Sequence, residues 1–271
     1  MFARYKISID TVEELLGNKY WLLESVVATT ESKVNEQVAK LFSPKDGIIS
    51  GDVLQDDFFP TDSAKPYRVF ISHSGKDREI VEKFAGILEE RYKVKCFVDS
   101  MVWKGIGELQ RRIDNNLPKT KNGALQYKDI LQTSAHVHSM LSIALFKMID
   151  QCECCIFVGS KNSLNLNLHS VQDETLSSWI YQEIYYMNHA KPTEPDWLAR
   201  VRLYSANEAQ NILESVAAKV SHGIDLSNFI PLCTEHFPCK YFANGDEFLR
   251  ELYYETMITN GKIIDKYGRI L

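Results

Sequence analysis

Apolar and polar positions along the chain change their rhythm near residue 67. Before it, residues 11–16 and 20–41 carry apolar side chains at helical spacing (Leu22, Leu23, Val26, Val27, then Val34, Val38, Leu41). Ser43-Pro44-Lys45-Asp46-Gly47 breaks that pattern, and residues 47–66 read as a connector. After it, short apolar runs alternate with amphipathic stretches. YRVFIS (67–72), VKCFV (94–98) and CCIFV (154–158) predict buried strands, the last uniformly apolar and so covered on both faces. Between them, residues 77–92 present Ile80, Val81, Phe84, Ile87 and Leu88 on one helical face. Residues 105–115 and 137–149 predict two further helices, and 178–189 a fourth. A helix near 207–220, a strand near 229–233 and a closing helix near 246–257 complete the expectation.

Strand and helix in alternation, with apolar strands, predict an α/β fold: a doubly wound parallel sheet carrying helices on both faces. The expected organisation is a small helical N-terminal extension over residues 1–65, then an α/β domain over 66–271. Residues 117–135 read as an inserted loop, too long for a plain connector, and extra helices close the C-terminal end.

A 271-residue chain holds one or two domains. Its 45% hydrophobic and 25% charged content is that of an ordinary globular protein. The formal charge of −5 argues against sequence-independent nucleic-acid binding, which needs a basic field. No apolar run reaches the ~18 residues of a membrane span. The N-terminus lacks the apolar core of a secretory signal. Six cysteines, three of them crowded in CECCIFVG, suit reduced thiols in a cytoplasmic protein.

Open parallel sheets bind ligands beyond the carboxyl ends of their strands. Those ends read Ser72-His73-Ser74-Gly75-Lys76-Asp77, Asp99-Ser100-Met101-Val102-Trp103-Lys104-Gly105 and Gly159-Ser160-Lys161-Asn162-Ser163. Hydroxyls, an imidazole, lysines and an indole suit a polar, phosphate-bearing, partly aromatic ligand. Between Lys65 and Arg112 the chain carries eleven basic and seven acidic residues, a local basic zone that favours a pyrophosphate. Ser177 stands at a helix start, and Trp179 and Glu183 follow one turn apart on one face. Other constellations carry less. Cys152-x-Cys154-Cys155 sits in a core-like strand, and Cys233-x-x-His236-x-x-Cys239 lacks a zinc spacing. Gly105-x-Gly107 is not a dinucleotide fingerprint, and Ser74-Gly75-Lys76 is not a phosphate loop.

Three segments together resemble the Toll/interleukin-1 receptor (TIR) domain family. V-F-I-S-H-S-G-K-D at residues 69–77 is similar to its first box. Phe97-Val98-Asp99 with Gly105 is similar to its second box, with Val98 where an Arg is common. Ser177-x-Trp179-x-x-x-Glu183 is similar to its S-x-W-x-x-x-E helix. The resemblance covers roughly residues 67–257. It implies a TIR/flavodoxin-like fold and, for the prokaryotic type, cleavage of NAD⁺ at the nicotinamide–ribose bond, hydrolytically or with cyclisation of ADP-ribose. The expected use is an antiviral nucleotide signal or NAD⁺ depletion. Glu183 is the implied catalytic residue. Ser72, His73, Ser74, Asp99, Lys104 and Trp179 are the implied substrate contacts. NAD⁺ enters as substrate, with no cofactor and no metal. The implied partners are further copies of the chain and an effector that senses the product, not nucleic acid or membrane. The alternatives are a non-catalytic TIR scaffold and a nucleoside deoxyribosyltransferase-like enzyme.

Overall fold

The computed structural model describes residues 2–17, 67–99, 125–165, 173–190 and 221–259, with a few positions between 110 and 123. Its centre is a five-stranded sheet of β1 (Ala3–Ser8), β2 (Val69–Ser72), β3 (Cys96–Val98), β4 (Cys154–Gly159) and β7 (Ile230–Leu232). The spatial order is β3-β2-β4-β1-β7, and all its pairings are parallel. The short strands β5 (Glu174–Thr175) and β6 (His222–Gly223) pair antiparallel beside it.

Successive residues of each central strand enter opposite cores, as the period of two requires. Val69, Ile71, Val98, Cys154, Ile156 and Val158 join one core, with α1 (Ile9–Gly17), α2 (Arg78–Glu90) and α5 (Gly245–Thr259). Phe70, Phe97, Cys155 and Phe157 join the other, with α3 (Tyr127–Gln151) and α4 (Ser178–His189). Cys154 and Cys155 thus face opposite ways, and both are fully buried as packing residues.

Two expectations are corrected. The start of the N-terminal zone is not part of a helical appendage, because Ala3–Ser8 lies inside the sheet between β4 and β7. Its sequence, A-R-Y-K-I-S, alternates apolar and cationic residues, whereas a central parallel strand is ordinarily apolar throughout. Ala3, Tyr5 and Ile7 fill the α1/α2/α5 core. Arg4 and Lys6 extend along the other face and place their charged ends on backbone carbonyls. Arg4 Nε donates to Met187 O (2.5 Å) and Lys6 Nζ to Leu226 O (3.5 Å). The second correction concerns the expected loop at 117–135, since α3 already begins at Tyr127. Its first turns carry few buried residues, with Tyr127 and Leu131 exposed, so the helical stripe is visible only from Val137 onward. The expected helices over 20–41 and 207–220 lie outside the described residues. Among the described residues no helix is long and apolar enough to cross a membrane.

Candidate functional site

The carboxyl ends of β2, β3 and β4 form one rim. Helix α4 crosses it with a stripe of Ile180, Glu183, Ile184 and Met187 turned inward. Ser177 caps the helix, its Oγ accepting from the Ile180 amide (3.3 Å), and this fixes where the first turns point. A carboxylate therefore stands in an otherwise apolar stripe, with no exposed surface.

That carboxylate is held from two sides. Ser72 Oγ, at the last residue of β2, donates to Glu183 Oε2 (2.6 Å). Asp99, just past β3, shares a hydrogen bond with the Glu183 carboxyl. Burial, with the Asp99 charge beside it, pushes Glu183 well above the usual carboxylate range, and the Ser72 hydroxyl offsets only part of this. Glu183 consequently keeps its proton where an exposed glutamate would have lost it.

Next along β2, His73 places Nδ1 2.7 Å from Asp99 Oδ1, with both side chains buried. Burial alone would lower the imidazole's pKa. The Asp99 carboxylate outweighs it, helped by Asp77 and the Ile71 carbonyl, and the net direction is upward. Among the described residues no hydrogen bond satisfies His73 Nε2. Ser72, His73, Asp99 and Glu183 thus form one continuous buried polar chain drawn from β2, β3 and α4.

A second polar group lies on the same rim. Asp77 Oδ2 accepts from Ser160 Oγ (2.5 Å) and Oδ1 from Asn162 Nδ2 (2.6 Å). Ser163 Oγ accepts from the Ser160 amide (2.8 Å) and donates to the Val158 carbonyl (3.2 Å). This ties the turn after β4 to the turn after β2. Asp77 and Ser160 were visible in the sequence only as rim residues. Their pairing depends on β2 and β4 being neighbours, which no local pattern records.

The other expected contacts have partners of their own or lie outside the described residues. Ser74 caps the turn at Gly75–Asp77, accepting from the Lys76 amide (3.4 Å). Trp179, half-buried, stacks on His138 of α3 with ring centroids 5.2 Å apart, and so helps to join α3 to α4. Lys104 lies outside the described residues. Away from the rim, Cys233 Sγ is 3.1 Å from His236 Nδ1, while Cys239 Sγ accepts from Arg91 (3.6 Å). Among the described residues no group of His, Cys, Asp and Glu is arranged to hold a metal ion.

Compared with known proteins, the chain matches no family model, no curated protein and no solved structure.

Proposed function

We propose that the chain is a TIR-type enzyme that cleaves NAD⁺ at the nicotinamide–ribose bond, with Glu183 as its catalytic carboxylate. The observation that carries the reading is the seating of Glu183 at the carboxyl ends of β2 and β3, bonded to Ser72 and Asp99. Its place is the one that ligands of open parallel sheets occupy. A doubly wound arrangement belongs to the same proposal. Support for it comes from helices on both faces and a strand order that leaves β2 toward β3 on one side and β4 toward β7 on the other.

The chemistry asks little of the protein. The C1′–N bond breaks with its electron pair moving to the pyridinium nitrogen, so nicotinamide leaves neutral and needs no proton. The ribosyl group becomes an oxocarbenium-like cation. An ionised Glu183 in a dry site stabilises that cation and holds the ribose hydroxyls. Water then adds at C1′ and releases a proton, giving ADP-ribose; attack by the substrate's own adenine instead gives a cyclic product. In the resting chain Glu183 has no exposed surface, so the rim opens to admit substrate. Ser72, Asp99 and His73 then position the carboxylate. Lys104 and Ser74 are proposed phosphate or ribose contacts, and Trp179 a wall of the site. Self-association, and an effector reading the product, remain part of the proposal.

The test is incubation of concentrated purified protein with NAD⁺, following free nicotinamide and the nucleotide product by mass spectrometry. Nicotinamide release that Glu183→Gln abolishes supports the reading. Base exchange between deoxynucleosides, with indifference to NAD⁺, selects the deoxyribosyltransferase-like alternative. Neither reaction, even in clustered protein, selects the scaffold.

A further inference from the structure

The mechanism above uses Glu183 but leaves unexplained why a buried imidazole stands behind it. His73 has no exposed side-chain surface, and its Nε2 makes no hydrogen bond among the described residues. Purely structural histidines in cores are ordinarily satisfied at both nitrogens. Asp99, just past β3, lies 2.7 Å from the ring, and Asp77 in the turn after β2 adds its charge. Asp77 is already engaged by Ser160 and Asn162, so Asp99 is the partner with which His73 exchanges charge. Asp99 in turn bonds the Glu183 carboxyl, whose Oε2 accepts from Ser72.

Resting on the NAD⁺-cleaving reading, we propose that His73, Asp99 and Glu183 act as one proton-sharing unit, with His73 as a positioning residue whose imidazolium balances Asp99 and lets Glu183 ionise toward the substrate. The charge count explains why. With His73 protonated, an ionised Glu183 leaves the three groups at a net charge of −1. Without the imidazole, the same ionisation puts two adjacent anions in a buried site. Two like carboxylates in contact resist joint ionisation, as acid pairs in other buried sites do. Removing Asp99 instead takes the neighbouring negative charge away from Glu183, and its ionisation becomes easier. Asp77 also faces the unit, on the His73 side.

Opposite shifts in two variants test this. Nicotinamide release from NAD⁺ is measured against pH for the full-length wild type, His73→Gln and Asp99→Asn, with circular dichroism confirming the fold. The acid limb of the rate profile is expected to rise by about one pH unit or more in His73→Gln and to fall by a similar amount in Asp99→Asn. A second readout needs no turnover: the infrared C=O band of the protonated Glu183 carboxyl, assigned by its loss in Glu183→Gln and titrated in the same variants. Opposite displacements of that band's titration support the unit. Unchanged titrations, or shifts in one direction for both variants, overturn it. If His73→Gln does not fold, Asp99→Asn decides alone: a downward shift supports the unit and an unchanged titration overturns it. A wild type that releases no nicotinamide yet shows the opposed infrared shifts refutes NAD⁺ cleavage and leaves the unit standing. Nicotinamide release with unshifted titrations does the reverse.

Discussion

Replacing Glu183 by Gln should cost activity and gain stability at once. The amide keeps the shape of the protonated acid. Its oxygen can accept from Ser72, and its NH₂ can donate to Asp99 as the acid proton does. What disappears is the ability to become an anion. Under the proposed reaction that removes the principal charge opposing the ribosyl cation, a loss comparable to deleting one preorganised electrostatic group, about 10²–10³-fold in kcat. The stability effect follows from linkage. The native carboxyl titrates well above the usual range, so from about pH 4.5 upward the folded state binds more protons here than the unfolded state does. Unfolding free energy then falls as pH rises through that window. Gln has no such slope. At neutral pH the variant is expected to be more stable by about 1–3 kcal/mol, the usual scale for relieving an ill-matched buried polar group. That gain corresponds to roughly 2–4 °C in Tm per kcal/mol. Thermal melts at pH 7 and near pH 4.5, beside nicotinamide release, measure both halves. The advantage should shrink at the acid end. A Gln variant that cleaves NAD⁺ within twofold of wild type, or that melts lower than wild type at neutral pH, would refute the reasoning.

Three further outcomes are expected. A chain lacking residues 1–8 should lose cooperative unfolding by circular dichroism, since it opens the sheet between β4 and β7; a melt unchanged from wild type would show that β1 is dispensable. Gly245→Ala should destabilise by about 1–3 kcal/mol, because a Cβ there meets the Lys93 carbonyl at 2.7 Å and backbone cannot yield cheaply; a denaturant midpoint equal to wild type would contradict the close approach. Maleimide labelling read by mass spectrometry should modify Cys233 and Cys239 in the native protein, while Cys152, Cys154 and Cys155 react only on unfolding. Burial pushes the Cys155 thiol up to about 12, so it is both hidden and protonated.

The strands at 69–72, 154–159 and 230–232 and the helix at 178–189 could be read from the sequence because their apolar periods are local. β1 could not. Its Arg4 and Lys6 mimic an edge or surface strand, and the carbonyls that receive them come from Met187, Asn188 and Leu226, remote in sequence. The rim residues Ser72, His73, Asp99 and Glu183 were legible one by one, as polar groups at strand ends and a carboxylate on a helix. Their connection was not, since it depends on β2 and β3 being neighbours and on Glu183 lying in the stripe of Ile180 and Ile184. That stripe was itself a usable signal: an acid at a position where helical spacing calls for an apolar residue. The stacking of Trp179 on His138 of α3 was likewise invisible, since the two lie on different helices.

The position of β1 has a consequence for how the chain is made. Ile7 is made long before its two neighbours in the sheet, Val158 and Leu232. The strand must wait, unpaired, until both have been synthesised. Such long-range closure is slow. Until then Tyr5 and Ile7 are sticky surface, which makes the nascent protein a natural client for chaperones that hold extended segments.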